Sequence, residues 1–379
     1  MPRATTMLFL LLAYCVYLVF VDQKLFTTVV VPLILILLLA TAYTFLTDTA
    51  TIADGASNRD TKRFISKTYQ YLSLYFPVFL FTRINHIASK AQKKIFIGIG
   101  IALMVYVIVS TWIYLVDNPD ATRHWDGSDE IAAKDIGGYY FVYAVPIIIS
   151  AISIIMLQHK GWVRFFSLAL VVAGIIFLVD AQYTLAILIA IIGVLIQVYR
   201  HIKSTLNKAL FILGCLIVSV FLPQILAYFI RIIPSYQVAT RLSEIRAFLN
   251  GQGAGGYNLS SRLTLYGDSI NAFLSSPFIG NRQLDFDGHS TFLTVLSDTG
   301  ILGGIPFYAL LVIVCKQMQK YMGTHKQQSS VLIIMFCMMG LTNPVHSSQP
   351  LGLVAFCLAP LTIQLILKEE PHNDQTLEN

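Results

Sequence analysis

Long apolar runs, separated by short polar segments, make up most of this chain of 379 residues. A run of about 20 apolar residues is long enough for a helix to cross a hydrocarbon core of about 30 Å. The pattern predicts eleven helices, at 7–21, 26–46, 64–82, 95–116, 138–157, 164–181, 183–199, 209–230, 290–315, 329–343 and 350–367. Lys67, Gln70 and Pro77 interrupt the third, so an interfacial segment is its alternative. We therefore expect an all-α, polytopic integral membrane bundle with a single domain over 1–379.

Composition agrees with this pattern. Hydrophobic residues make up 56% of the chain and charged residues 12%, with a mean hydropathy of +0.69. A soluble domain carries roughly 25% charged residues, so the deficit indicates a protein solvated by lipid. The five cysteines fall in apolar runs without metal-ligand spacing, and we expect free, buried thiols. They are Cys15, Cys215, Cys315, Cys337 and Cys357.

Basic residues are concentrated in four segments between predicted helices: RINHIASKAQKK, HKGWVR, RHIKSTLNK and KQMQKYMGTHK. Alternation of the helices places all four on one side, which the positive-inside rule makes the cytoplasm. Segment 231–290 then becomes a large extracytoplasmic loop, and the tail 368–379 becomes a disordered cytoplasmic segment. The N-terminus lies outside if all eleven helices span, and inside if the third does not. We expect a multi-pass protein of the cytoplasmic membrane.

The net charge of +6 follows from this topology and does not indicate a nucleic-acid partner. The glycine-rich stretch GQGAGG follows no predicted strand and opens no βαβ unit, so we interpret it as a linker. Dinucleotide-binding and nucleotide-hydrolysing proteins are thereby disfavoured.

The outer loop begins with a candidate surface helix. Val238, Leu242, Ile245 and Leu249 recur at helical spacing, and Asn250-Gly251 is a stop signal. This pattern predicts an amphipathic helix on the outer membrane surface. Arg241 and Arg246 lie beside its apolar face, where they bind either a substrate phosphate or lipid headgroups.

A second helix is expected to begin with a cap at Ser260 or Ser261, which places Arg262 in its first turn. A cation there opposes the helix dipole, whereas free N–H groups plus a guanidinium form a good anion site. The alternative is an arginine that snorkels or pairs with Asp268 or Asp285. Asp268 is therefore also a candidate substrate-binding residue.

His289 immediately precedes the ninth predicted helix. The helix dipole disfavours an imidazolium near the N-terminus, so a neutral histidine is available there as a base near pH 7. A histidine that only makes local hydrogen bonds is the alternative. Asp298 lies two turns deeper, and an ionisable group inside a bilayer is a functional candidate or the partner of a cation on another helix.

The segments SSRLTLYGDSINAFLSSPFIGN and GHSTFLTVLSDTGILGG resemble the O-antigen polymerase and ligase family of membrane glycosyltransferases, which includes the Wzy-type polymerases. That family has a serine-x-arginine element, an amphipathic helix, a proline-containing turn, and a histidine that opens a helix with spaced leucines and glycines. The similarity covers about 45 residues. The matching positions are Ser260, Arg262, Pro277, Gly280, His289, Leu293, Leu296, Gly300 and Gly303.

The resemblance implies a GT-C-like helical fold and a polymerase of lipid-linked repeat units. The donor would be a glycan on a polyprenyl pyrophosphate, and the acceptor a sugar hydroxyl on a second lipid-linked unit. Arg262 would stabilise the departing pyrophosphate and His289 would be the base, with Asp298 as the rival base. The expected reaction needs no metal and no cofactor. The bilayer, and a chain-length regulator and a flippase of the same pathway, are the implied partners.

One departure from the family concerns the second arginine. Family members often carry a serine-arginine pair at the outer end of a middle helix, where this chain has VDAQYTLAIL. A second phosphate-binding arginine would then come from Arg241, Arg246 or Arg282. Two alternatives stay open: a ligase that transfers glycan to another acceptor, and a flippase or transporter without chemistry. A transporter would place broken helices and paired charges near the bilayer midplane, where charge in this chain is sparse.

Overall fold

The computed structural model describes residues 20, 77–118, 122, 136–233, 236–250, 257–280, 290–345 and 348–367. Every regular element in these ranges is helical. The helices are α1 Pro77–Ile87, α2 Lys90–Asp117, α3 Tyr139–Val142, α4 Val145–Gln158, α5 Trp162–Asp180, α6 Thr184–His201, α7 Thr205–Ile232, α8 Tyr236–Leu249, α9 Tyr257–Ser275, α10 Thr291–Met322, α11 Lys326–Thr342 and α12 Gln349–Ile366. A π-helical turn, Val354–Leu358, lies inside α12.

Six helical segments are long and apolar enough to cross a membrane, and a bent pair, Thr291–Ile305 with Phe307–Thr342, would be a seventh if it forms one span. The six are α2, the combined α3 and α4, α5, α6, α7 and α12. The prediction of an all-helical fold is confirmed for the described residues, and these apolar helices are compatible with a membrane protein. The predicted helices 7–21 and 26–46, and residues 64–76 of the third, lie outside the described residues, so the count of eleven stays a prediction.

Serines begin several of these helices. Ser89 and Gln92 form a capping box at α2, in which each side chain accepts from the other residue's backbone amide. Ser290 caps α10, where its hydroxyl accepts from the Leu293 amide at 3.2 Å, and Ser348 caps α12. Because a serine oxygen satisfies an amide that the first turn leaves unbonded, these starts are local properties of the sequence.

The core is built around α4 and α12, most of whose residues are buried. Phe336 of α11 packs against Phe356 of α12 with ring centroids 4.8 Å apart, and both rings are fully buried. By contrast, α2 and α7 are almost wholly exposed, with rows of leucine, isoleucine and valine on their surfaces. Exposed apolar surface of this extent is typical of contact with lipid.

Contacts between helix ends define two ends of the bundle. At the first, the Tyr139 hydroxyl lies 3.3 Å from Asn343 Oδ1, and the Ser348 hydroxyl donates to the Tyr140 carbonyl at 2.9 Å. We call it the polar end; it holds the start of α3, the end of α11 and the start of α12.

At the opposite end, Arg200 of α6 donates to the Gln327 carbonyl at the start of α11. Gln364 near the end of α12 donates to the Tyr321 carbonyl near the end of α10, and the Phe81 ring of α1 packs edge-on against Tyr321. The predicted basic segments 200–208 and 316–326 thus lie at the same end of the bundle. Helices that cross a membrane in alternating directions require this arrangement. The side of the membrane that this basic end faces stays a prediction.

The predicted outer loop 231–290 is largely helical where the structure describes it. The preceding helix α7 extends to Ile232, and α8 and α9 follow. The predicted surface helix is confirmed as α8, whose end is marked by the Asn250 amide donating to the Arg246 carbonyl at 3.0 Å. Its position on the membrane surface stays a prediction, as does the disordered tail 368–379, which lies outside the described residues.

Four of the five cysteines lie in described helices, and all four are free. Cys357 is buried, while Cys215, Cys315 and Cys337 are half-buried. This confirms the prediction of free thiols for these four.

Candidate functional site

A close backbone contact joins the turn after α9 to a break in α10. Gly280 follows this turn with φ +76°, and Gly300 interrupts α10 with φ +60°. A Cβ atom on Gly280 would lie 2.4 Å from the carbonyl carbon and oxygen of Asp298. One on Gly300 would lie 2.5 Å from the carbonyl of Phe278. Both positions therefore require glycine, because a side chain would overlap backbone that cannot turn aside.

Backbone hydrogen bonds hold the turn on the break. The Ile301 amide donates to the Pro277 carbonyl at 2.8 Å. The Leu302 amide donates to the Phe278 carbonyl at 3.0 Å. In an unbroken α-helix, both amides would bond to carbonyls four residues earlier in α10. The turn after α9 thus replaces one step of the α10 hydrogen-bond ladder.

Beyond the break, α10 bends sharply, with an angle of 70° between Thr291–Ile305 and the helix that starts at Phe307. The Tyr308 hydroxyl donates to the Phe292 carbonyl at 2.9 Å, although the two residues are 16 apart in sequence. Sixteen residues of straight helix would span about 24 Å. The continuous helix predicted at 290–315 is therefore wrong, since the turn after α9 supplies the bonds that permit a break. We call the first part of α10, residues 291–299, the half-helix.

Helix α9 runs parallel to the half-helix. The C-terminal ends of α9 and of the half-helix meet at the glycine contact. At the N-terminal end of the half-helix, the Tyr266 hydroxyl of α9 lies 3.5 Å from the Thr342 carbonyl. There the Thr291 amide donates to the neighbouring Asn343 carbonyl at 3.1 Å. Tyr266 and Thr291 are therefore at about the same level. Between these anchors lies a contact that we call the seam. By their register and burial, we assign to it Ser269 on α9 and Thr294, Ser297 and Asp298 on the half-helix.

The half-helix is rich in buried polar side chains. Its polar residues, with the capping serine, are less than a tenth exposed: Ser290, Thr291, Thr294, Ser297, Asp298 and Thr299. The Thr291 hydroxyl donates to the Asn343 carbonyl at 2.9 Å and accepts from the Val345 amide at 2.7 Å. The Ser297 hydroxyl lies 3.4 Å from the Asp298 carboxylate. Polar groups are expensive inside a membrane bundle, so a concentration of them marks a candidate site.

The predicted acids are separated by the structure. Asp298 is buried at the break end of the seam, where its carbonyl touches the glycine contact. Asp268 is exposed on α9, although the next residue, Ser269, is buried. The predicted substrate-binding Arg246 is likewise exposed, near the end of α8. Of these three, Asp298 alone contributes to the seam.

The predicted position of Arg262 in the first helical turn is wrong. Helix α9 begins at Tyr257, so Arg262 is its sixth residue, and Ser260 and Ser261 lie inside the helix. The free N–H groups of a first turn therefore do not lie beside Arg262. The register of the seam instead puts Arg262, one turn before Tyr266, towards the end of α9 that meets Thr291.

Other predicted site residues cannot be placed. The side chains of Arg241 and Arg262, and all of Arg282 and His289, lie outside the described residues. By sequence, His289 is two residues before Thr291, and Arg262 is four residues before Tyr266. Asp298 lies at the opposite end of the half-helix.

The sequence did not indicate the structural role of Asn343 in this region. Asn343 is fully buried, and its carbonyl accepts both the amide and the hydroxyl of Thr291. Its side chain lies 3.3 Å from the Tyr139 hydroxyl, which ties α3 to the start of the half-helix. Asn343-Pro344 after an apolar run is a recognisable stop signal, but nothing local indicates which residues it contacts.

A tyrosine cluster lies beside Asn343. The rings of Tyr139 and Tyr143 each lie within 5.5 Å of the Tyr183 ring, measured between centroids. Gln182, which precedes Tyr183, is buried and has φ +62°, an uncommon conformation for a residue other than glycine. The sequence departs from the family pattern at this segment, and in the structure it supplies aromatic and amide groups to the polar end.

Among the described residues, no group of three histidine, cysteine, aspartate or glutamate side chains is placed to hold a metal ion. The sequence Asp285-Phe286-Asp287 has the D-x-D spacing of many metal-dependent glycosyltransferases, and it lies outside the described residues. The expected metal independence therefore stays a prediction.

No protein-family model matches the chain, and no curated protein matches it.

Proposed function

We propose that the chain is a membrane glycosyltransferase that polymerises lipid-linked oligosaccharide repeat units outside the cytoplasmic membrane. One observation carries the proposal beyond the sequence resemblance. The two segments that resemble the O-antigen polymerase family pack against each other through Gly280 and Gly300, two of the matching positions. The turn fits the helix only because Gly280 and Gly300 have no side chains, so the two segments act as one structural unit. A site formed by both segments needs such a unit.

The reaction joins two lipid-linked glycans. An acceptor sugar hydroxyl attacks the anomeric carbon of the donor glycan. The bond between that carbon and the pyrophosphate oxygen breaks, and the leaving polyprenyl pyrophosphate takes the electron pair. The hydroxyl proton passes to a base, for which we assign His289. Arg262 and a second arginine, from Arg241, Arg246 or Arg282, stabilise the pyrophosphate charge.

The register of the seam supports this division of roles. Arg262 lies towards the end of α9 that meets Thr291, and His289 precedes Thr291 by two residues. Asp298 lies seven residues along the half-helix from Thr291, which is about 10 Å of helix. The arginine and the histidine are thus assigned to one end of the seam and the carboxylate to the other.

A second candidate is a transporter for lipid-linked oligosaccharides. The break in α10 beside the buried Asp298 favours it, because transport sites are commonly built at discontinuous helices. In that case, the protein would move the lipid-linked unit across a bilayer without forming glycosidic bonds.

Reconstitution separates these functions. Purified protein in vesicles is given a lipid-linked repeat unit, and the products are resolved by chain length. A polymerase produces a ladder of two or more repeats and releases polyprenyl pyrophosphate. A transporter produces no ladder but moves labelled substrate across the vesicle membrane, and a ligase extends glycan only onto a different added acceptor. Either of the last two results contradicts the proposal.

Two controls sharpen the assay. Arg231→Ala at the exposed end of α7 is matched to Arg262→Ala on α9, and only the second is expected to abolish the ladder. Addition of EDTA is expected to leave the ladder unchanged. Loss of activity with EDTA, and its recovery with a divalent cation, would instead implicate Asp285 and Asp287 as metal ligands.

A further inference from the structure

Two hydroxyl groups in the seam stand out from the others. Ser269 is 1% exposed and Thr294 is 9% exposed. The Oγ atom of Ser269 and the Oγ1 atom of Thr294 have no hydrogen-bond partner among the described residues. The neighbouring hydroxyls differ, since Ser297 donates to the Thr294 carbonyl at 3.0 Å and Thr299 to the Val295 carbonyl at 2.6 Å.

The lack of a partner at Thr294 is not forced by its helix. A threonine in a helix can donate to the carbonyl four residues earlier, as Thr299 does. For Thr294, the carbonyl four residues earlier belongs to Ser290. It accepts the Thr294 amide at 2.9 Å, and a carbonyl oxygen has a second lone pair that could accept the hydroxyl. A buried hydroxyl without a partner is costly, so its presence needs a reason other than stability.

The two hydroxyls lie at about the same level of the seam. Ser269 is three residues along α9 from Tyr266, and Thr294 is three residues along the half-helix from Thr291. Tyr266 and Thr291 are the anchors at one end, and from there the two helices run in the same direction. Both hydroxyls are therefore about 4.5 Å from these anchors along their helix axes.

Charge indicates the class of ligand that would use these hydroxyls. The charged side chain of the seam is the Asp298 carboxylate, four residues from Thr294 and thus on the same face of the half-helix. Asp268, next to Ser269, is also acidic. Carboxylates accept hydrogen bonds and repel phosphate, whereas serine and threonine hydroxyls both donate and accept. A neutral ligand with several hydroxyl groups fits this set, and an anion does not.

We propose that the seam between α9 and the half-helix is a sugar-binding site, in which Ser269 and Thr294 bond to hydroxyl groups of the acceptor glycan when α9 moves away from the half-helix. The proposal rests on the proposed function and adds to it the location of the acceptor subsite. The pyrophosphate of the donor would then lie towards the Arg262 end, away from the acids.

The test compares hydroxyls that have partners with those that do not. The seam variants are Ser269→Ala and Thr294→Val. Their matched controls are Ser153→Ala in α4 and Thr82→Val in α1, whose buried hydroxyls donate to the Ser150 carbonyl at 2.7 Å and the Val78 carbonyl at 2.8 Å. Each variant is assayed for its thermal unfolding midpoint and, in vesicles with the lipid-linked repeat unit, for kcat and for KM of the acceptor.

The seam variants and the control variants are expected to differ in both the unfolding midpoint and the acceptor KM. Each seam variant keeps or raises the unfolding midpoint, because a buried polar group without a partner is removed. Its acceptor KM rises about tenfold, the usual effect of losing one hydrogen bond to a ligand, while kcat changes less than about threefold. The controls lower the midpoint and leave KM unchanged. Seam variants that lower the midpoint and keep a normal KM would mean that the hydroxyls bond to structural water, and the proposal would be wrong.

A second measurement keeps the proposal independent of turnover. The free oligosaccharide of the repeat unit, and a set of its monodeoxy analogues, are tested for their ability to raise the unfolding midpoint. One deoxy position should weaken binding to the normal protein and have no further effect in Thr294→Val, the coupling expected for groups in contact. Independent, additive losses overturn the sugar site. A protein that binds the oligosaccharide in this way but makes no polymer would refute the proposed function and retain the site.

Discussion

Replacing Gly300 by alanine tests the contact on which the candidate site depends. Gly300 has φ +60° and ψ −163°, a region that residues other than glycine occupy at a cost of about 1–3 kcal/mol. The new Cβ atom would also lie 2.5 Å from the Phe278 carbonyl and the Gly280 amide nitrogen, so the turn after α9 must retreat. The hydrogen bonds from Ile301 and Leu302 to that turn would then be lost or lengthened, at about 0.5–1.5 kcal/mol each.

These contributions amount to about 2–6 kcal/mol, a large part of the 5–15 kcal/mol by which most folded domains are stable. We therefore expect Gly300→Ala to be recovered in low yield and to unfold at a clearly lower temperature. Gly267→Ala is the matched control, because Gly267 lies in α9 and a Cβ atom there meets nothing within 4 Å. Alanine in a helix is favoured over glycine by up to about 1 kcal/mol, so this control should be neutral or stabilising.

The assay is thermal unfolding of the purified variants in detergent, followed by size-exclusion chromatography of the heated samples. Gly304→Ala adds an intermediate case, since its Cβ atom would lie 3.4 Å from the Leu296 and Tyr308 side chains. The expected order of unfolding midpoints is Gly267→Ala, then Gly304→Ala, then Gly300→Ala. If Gly300→Ala unfolds at the same temperature as Gly267→Ala, the turn after α9 does not pack on the break in α10, and the site built on that contact is wrong.

Three further predictions concern the topology and the chemistry. Single cysteines at Gly253 and Asp285, in a cysteine-free background, should react with an impermeant thiol reagent in whole cells; labelling only after the cells are opened would reverse the topology. Arg262→Ala should abolish polymer at normal protein levels, and Arg262→Lys should rescue it poorly, because an ammonium cannot bind two phosphate oxygens in parallel; full activity with lysine would mean that only a positive charge is needed. His289→Ala should lower turnover roughly 10²- to 10⁴-fold and remove the lower limb of the pH–rate profile. Near-normal turnover in that variant, together with loss of turnover in Asp298→Ala, would transfer the role of base to Asp298.

The helices were predictable because their signals are local. Apolar runs of about 20 residues, serine caps and stop signals such as Asn250-Gly251 act within a few residues of themselves. The sequence therefore predicts α2, α5, α6 and α7 almost as the structure has them. The surface helix α8 was found in the same way, from the spacing of its apolar residues.

Errors occurred where a distant segment changes a local outcome. Gly300 and Pro306 are local signals of a break within 290–315, but they do not indicate what stabilises it. The carbonyls that replace the hydrogen bonds of α10 come from the turn after α9, 24 residues away. The start of α9 was placed four or five residues late because Ser260 and Ser261 look like caps but lie inside the helix.

By itself, the sequence determined that this protein is helical and that several of its helices are apolar and long enough to span a membrane, since both properties follow from residue type and short-range spacing. It also supplied the candidates Arg262, His289 and Asp298, because charged groups are conspicuous in an apolar chain. Only the tertiary structure decided that α9 packs alongside the half-helix and that Asn343 connects α3 to Thr291. It also decided that the hydroxyls of Ser269 and Thr294 are buried without partners among the described residues. The physical reason is that hydrogen bonding and burial are set by what packs on a residue, and in this fold the packing partners lie far away in the chain.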